Sequence, residues 1–135
     1  MKTLVYYEDL PDSMTCDQLR DEFVQILAAD TRSEAALISE ALFALSERQW
    51  NTCKLADEQL RADISMVVLR LWDDQDADRA ATLLGITSRL GLGVVLKQLR
   101  ESDRSLHSVK VRKTVEEAIR EFGDTVEDPY SGMKM

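Results

Sequence analysis

The chain has 135 residues, 44 % of them apolar, with 25 acidic and 17 basic residues and a formal net charge of −8. That length suffices for one domain with a real core, and no apolar run reaches the roughly 20 residues a membrane helix needs, since the best candidate, "AALISEALFAL", is broken by Glu40. Five glycines and two prolines leave little punctuation for an all-β chain, and one histidine with two cysteines falls short of a four-ligand zinc set.

Residues 3–7, "TLVYY", are β-branched and aromatic and predict a short extended arm within 1–12, ended at Pro11. One strand cannot make a sheet, so the arm must pack on helices or pair with something else. A helix over 13–29 follows. Leu19, Phe23, Ile26 and Leu27 share one of its faces, and Thr15 with Gln18 has capping-box spacing. A second helix over 32–48 starts on another such box, Thr31 to Glu34. Its broad apolar face (Leu37, Ile38, Ala41, Leu42, Ala44, Leu45) implies neighbours on two sides.

"RQWNT" reads as a connection, with Asn51 or Thr52 capping a third helix over 52–73 that buries Leu60, Ile64, Val67, Val68 and Leu71. A fourth helix over 77–90 uses Ala80, Ala81, Leu84 and Leu90, and a fifth over 92–102 uses Val94, Val95, Leu96 and Leu99. Gly91 and Gly93 either break that run or bend it. After the polar "ESDRSLHS", a sixth helix over 108–122 carries Val111, Val115, Ala118, Ile119 and Phe122, with Gly123 as a left-handed stop and 124–135 as a tail. The expectation is an all-α single domain (arm 1–12, helical core 13–123, tail 124–135). Its six or so helices form either a compact bundle or a short stack of antiparallel hairpins. "MKTLVYYEDL" has no long apolar region and no small-residue cleavage site, so no signal peptide and a cytoplasmic location are expected. Cys16 and Cys53, each in a helical pattern, read as buried core thiols in a reducing compartment. Either could pair with His107 as a nucleophile, although no family signature surrounds them.

Charge is unevenly spread. Residues 1–78 hold 17 acids and 7 bases, a net of −10, whereas 79–123 hold 5 acids and 9 bases, a net of +4. A front half of that sign repels phosphates, which argues against direct nucleic-acid binding there, and it speeds encounter with a basic protein. Acidity for solubility alone is the competing explanation.

"RLWDDQDADRAATLLG", residues 70–85, concentrates Asp73, Asp74, Asp76 and Asp78 between two helical patterns. Asp74, Asp76 and Asp78 open like a calcium loop, but Arg79 stands where the turn needs Gly and Gly85 where a bidentate Glu is required. No second acidic cluster, His or Gly-rich loop sits close by in sequence to build an acid–base site. Capping of the fourth helix accounts for one or two of the four, and the others are exposed charge offered to a partner. Trp72 reads as partly buried core. Trp50, in the connection, reads equally as core edge or interface anchor. Tyr6, Tyr7 and Tyr130 either anchor a basic partner or pin arm and tail to the body. His107 reads as a solvated or capping loop residue. Lys110, Arg112, Lys113 and Arg120 lie with Glu116 and Glu117 on a solvated helix supported by i,i+4 pairs. No phosphate loop, GxGxxG, GxSxG, HExxH or CxxC occurs.

"HSVKVRKTVEEAIREF" resembles the second helix of a HEAT-type repeat: a small polar cap precedes Val-Arg and then apolar residues one and two turns on. The third with the fourth helix, and the fifth with the sixth, could be further hairpin units. In size, acidity and HEAT-like helical character the chain resembles the helical immunity proteins of bacterial toxin–immunity systems, including contact-dependent growth inhibition. The resemblance implies a cytosolic protein that protects its producer by binding one cognate basic toxin domain, commonly a nuclease. The alternatives are a helical adaptor or scaffold, and an enzyme with an unrecognised site. The residues expected to bind the partner are Asp73, Asp74, Asp76, Asp78, Trp50 and Tyr130. No catalytic residue, metal ligand or cofactor is expected.

Overall fold

The computed structural model describes residues 2–29, 34–52, 56–102 and 107–122, and these contain seven helices and no strand. In chain order they are α1 (Leu4–Glu8), α2 (Cys16–Leu27), α3 (Ala35–Asn51), α4 (Glu58–Leu71), α5 (Ala77–Leu90), α6 (Gly93–Glu101) and α7 (Val109–Phe122).

The expected extended arm is helical instead. Thr3 caps α1 by accepting from the Tyr6 N–H. A strand would send Tyr6 and Tyr7 to opposite faces, whereas a helical turn lets both reach the body. Tyr7 is fully buried, and the Tyr6 hydroxyl donates to Glu22 of α2 at 2.6 Å. The two rings meet edge to face with centroids 5.1 Å apart. Lys2 donates to the Tyr6 hydroxyl at 3.0 Å and lies 4.2 Å from its ring centre. Burial pushes the Tyr7 phenol above its ordinary pKa.

α2 starts as expected, with Thr15 and Gln18 closing both bonds of the capping box. The second expected box begins at Thr31, which lies outside the described residues, and Glu34 stands at the N-cap of α3 with no side-chain cap bond. α3 also continues through "RQWNT" to Asn51, so Trp50 sits half-buried in its last turn rather than in a connection. The reason is burial beyond residue 48. Gln49 and Arg48 are both buried, and Arg48 bonds back to the Ala44 carbonyl and across to those of Glu8 and Leu10. The cap of the next helix is accordingly Asp57, not Asn51 or Thr52, accepting from the Leu60 N–H at 2.8 Å.

That amide holds the Asp57 carboxyl below its ordinary 3.8, with Arg20, its ion-pair partner on α2, adding to the effect and desolvation opposing it. A depressed folded-state pKa gives stability that is complete above the ordinary carboxylate range and is lost as pH falls through the depressed value. The urea midpoint of Asp57→Ala should therefore lie below that of the parent at pH 7, and the gap should shrink in acid. A gap independent of pH would contradict the cap's ionic character.

α5 has the expected bounds. Gly91, at φ 69°, lies in the left-handed region, and its N–H and that of Leu92 close on the Thr87 carbonyl, so the glycine breaks the run. Ser108 caps α7 by accepting from the Val111 N–H at 3.2 Å.

Helices two apart in sequence lie side by side. α1, α3, α5 and α7 form one row, with the α3–α5 contact the most extensive, and α2, α4 and α6 form the other. Successive helices cross between the rows, and the two rows pack face to face in one compact all-α arrangement. Leu42 and Leu45 of α3, Ile64 and Val68 of α4, and Leu83, Ile86 and Leu90 of α5 fill the space between the rows and are fully buried. The broad apolar face of α3 is explained by its contacts with α1, α2, α4 and α5.

Candidate functional site

The aspartate-rich stretch forms the α4–α5 corner. Trp72 ends α4, and the Asp76 side chain accepts from the Arg79 N–H at 3.0 Å as the N-cap of α5. Asp73 accepts from the Gln75 N–H at 2.9 Å, an Asx turn that tightens the corner. Asp74 Oδ1 accepts from Trp72 Nε1 at 2.9 Å and from His107 Nε2 at 3.0 Å, and the Asp74 carbonyl accepts from the Ser108 N–H at 2.9 Å. Asp78 lies exposed in the first turn of α5, where its charge faces the positive end of the helix dipole. Three of the four carboxylates thus hold the corner in shape, and Asp73 and Asp78 are the two most open to solvent. No three His, Cys, Asp or Glu side chains among the described residues gather closely enough to hold a metal ion.

His107 is not the solvated loop residue expected from its polar neighbours. Its side chain is 3 % exposed and ties the start of α7 to the α4–α5 corner, its ring tilted against Trp72 at 6.1 Å. Nδ1 is buried without a hydrogen-bond partner. Ser102 lines the same recess, but its hydroxyl donates to the Leu99 carbonyl at 2.8 Å rather than to the imidazole. Cys16 is exposed, a second correction to a predicted burial. It lies on the apolar side of α2, but as the first helical residue it falls beyond the packed seam, beside a recess shared with Asn51 and Thr52. Cys53 and Tyr130 lie outside the described residues.

Exposed acidic residues stand on the first four helices and also on the last three, where Asp78, Glu101, Glu116, Glu117 and Glu121 are exposed. Asp17, Asp21 and Val24 fall at i, i+4 and i+7 on the outer side of α2, all exposed, and no ion pair among the described residues holds either aspartate. Glu40, Glu58 and Asp63 are also exposed. Glu22 is not available in this way, being 8 % exposed and held by Tyr6 and Lys2. Arg20 is committed to Asp57, and the Arg61 Nε donates to the Ala56 carbonyl.

The seam between α4 and α6 carries two recesses that sequence patterning did not single out. One, of about 280 Å³, lies where Arg61, Ala62 and Ser65 face Gly93 and Val94. The other, of about 220 Å³, lies where Leu69 and Trp72 face Gln98 and Leu99, with Asp74 and His107 at its end. Met66 and Val94 are 53 % and 54 % exposed, although each belongs to a helix whose opposite face is core. Met66 carried a signal that could have been found: with Ala62 and Leu69 it makes a second i, i+4, i+7 apolar row on α4, on a different side from the Leu60–Ile64–Leu71 face.

Compared with known protein families, characterised proteins and solved structures, the chain matches none. No helix among the described residues is long and apolar enough to cross a membrane.

Proposed function

We propose that this chain is a binding protein that neutralises a basic protein partner through its acidic first half, and that it serves as an immunity protein against a cognate bacterial toxin domain. A nuclease is the toxin class that fits best, because a surface built to hold phosphates is basic and an acidic protein can cover it. The observation that carries the proposal is the charge asymmetry, net −10 over residues 1–78 and +4 over 79–123. It is supported by the exposure of Asp17, Asp21, Glu40, Glu58, Asp63, Asp73 and Asp78. A second reading, a helical adaptor for a cellular protein, draws on the half-exposed apolar side chains of Met66 on α4 and Val94 on α6.

The deciding experiment expresses the reading frame adjacent to that of this chain and measures its toxicity and its affinity for this chain at low and high salt. Nanomolar binding that weakens with salt and abolishes toxicity supports the proposal, and absence of binding at both salts rejects it. Asp73→Asn with Asp78→Lys tests the corner separately, the asparagine keeping an acceptor for the Gln75 N–H. Asp74 and Asp76 are left intact because their carboxylates hold the fold. Association should slow about tenfold at low salt, with the melting temperature lowered only slightly by the reversed charge at the start of α5. An unaltered rate and salt dependence would exclude the corner from the interface.

A further inference from the structure

The recess that His107 lines has a one-sided hydrogen-bonding character. Every side-chain donor around it except the Gln98 amide is already spent. Trp72 Nε1 and His107 Nε2 both donate to Asp74 Oδ1, at 2.9 and 3.0 Å, and the Ser102 hydroxyl donates to the Leu99 carbonyl at 2.8 Å. Acceptors are what remain. Both bonds to Asp74 end on the same oxygen, so Oδ2 keeps its lone pairs, and 42 % of that side chain is exposed. With its Nε2 proton on Asp74, the neutral imidazole presents Nδ1 as an acceptor. That atom is buried without a partner, in a side chain 3 % exposed. Gln98 lines the same recess, is exposed and makes no hydrogen bond among the described residues.

No lysine or arginine among the described residues lines this recess or pairs with Asp74. Lys97 and Arg100 are exposed on α6, and neither is part of the lining. Two neutral donors orient the Asp74 carboxylate without cancelling its charge. The walls suit an apolar stem. Leu69, Leu99 and the Trp72 ring supply them, and the ring is fixed by its N–H bond and by the imidazole tilted against it at 6.1 Å. The volume, about 220 Å³, is below the roughly 300 Å³ at which ligand pockets begin, so the recess suits a single side chain rather than a cofactor. Ammonium and guanidinium groups carry donors and no acceptor. They also favour the face of an indole and pack their stems on apolar surface.

We propose that this recess receives one basic side chain, a lysine or an arginine, from the protein partner. The proposal rests on the reading of this chain as a binder of a basic protein. It names one point at which that partner is anchored and not merely attracted.

The test titrates the isotope-labelled full chain with lysine and arginine, each acetylated and amidated at its ends, at constant ionic strength. Norleucine blocked in the same way has lysine's stem without its charge, and blocked glutamate reverses the charge. The Trp72 indole N–H and the Gln98 side-chain amide should shift with both cations, with Kd on the order of millimolar, and at least about fivefold less with either control. Asp74→Asn removes the charge and leaves an acceptor for Trp72 and His107. It should weaken both cations at least about fivefold. Gln98→Leu should act in the same direction, and it leaves the bonds of the corner untouched. Asp78→Asn, an exposed carboxylate outside the recess, should change nothing. Absence of shifts at these groups, equal shifts with norleucine, unchanged binding in both recess variants, or equal weakening by Asp78→Asn would each overturn the proposal. So would binding of 1,5-diaminopentane more than about tenfold tighter than blocked lysine, which would assign the recess to a free diamine.

Asp74→Asn and Gln98→Leu are then measured against the product of the adjacent reading frame. If the parent and both variants bind it equally tightly, the recess holds no side chain of that partner and the proposal falls, although the neutralisation reading stands. If the parent fails to bind it while the blocked cations still titrate the recess, the recess stands as a site for basic side chains and the immunity reading falls.

Discussion

Arg48→Met is expected to lower the free energy of unfolding by about 3 kcal/mol. Arg48 is 7 % exposed, and its Nη2 donates to two carbonyls outside its own helix, Glu8 at 2.8 Å and Leu10 at 3.0 Å. Those carbonyls belong to the end of α1 and the corner that follows. The carboxylates of Glu47 and Asp12 lie 3.8 and 3.9 Å away, and both are well exposed, so charge pairing is the smaller part of what Arg48 does. Removing a buried ion pair as a unit can be neutral, but here the partners left behind are backbone carbonyls that no substitution deletes. Methionine fills the volume of the stem and supplies no donor. Arg48→Lys should recover less than half of the loss, because one ammonium cannot reproduce a planar fork aimed at several acceptors. Urea unfolding measures the loss, and hydrogen exchange over residues 4–12 should quicken before the core does. An unchanged midpoint would show that Tyr7 burial and the Tyr6–Glu22 bond hold α1 without Arg48.

Asp74→Ala is expected to cost about 2 kcal/mol. It leaves the Trp72 indole N–H and the His107 Nε2–H without their acceptor, the latter in a side chain 3 % exposed. The Ser108 N–H keeps its bond to the residue 74 carbonyl, so α7 loosens at its start rather than detaching. Asp74→Asn retains an acceptor oxygen and should cost less. A double-mutant cycle with His107→Ala should show a coupling of about 1 kcal/mol, since the two substitutions remove one shared bond. Asp78→Ala, outside this network, should stay within about 0.5 kcal/mol. Equal effects at Asp74 and Asp78 would mean that the imidazole contact holds nothing.

Both residues show where pattern reading stopped. Arg48 and Asp74 look like surface charges in a chain that is 31 % charged. Nothing local marks Arg48 as the residue that fastens α1, because its acceptors lie near the N-terminus and are backbone atoms. Nothing marks Asp74 as different from Asp73, because its donors are the preceding indole and a histidine beyond α6. "TLVYY" failed for a related reason. Its β propensity is a local preference worth less than the burial of Tyr7 and the Tyr6–Glu22 bond, and a helix makes both possible at once. Cys16 misled in the opposite direction, since apolar periodicity says which side of a helix faces inward but not how far along the helix the neighbour extends.

The helical class, the α5 bounds, the Thr15–Gln18 capping box and most of the buried apolar positions were set by the amino-acid order alone, because the 3.6-residue repeat and the end-capping bonds act within one or two turns. The same order determined the split between an acidic front and a basic back, which is a matter of counting. Only the tertiary structure decided that helices two apart become neighbours in two rows, that His107 closes on Asp74, and that Met66 of α4 and Val94 of α6 are left in the open. These depend on packing between residues distant in the chain, where the free energy comes from fitting surfaces together and not from any local preference of the segments that supply them.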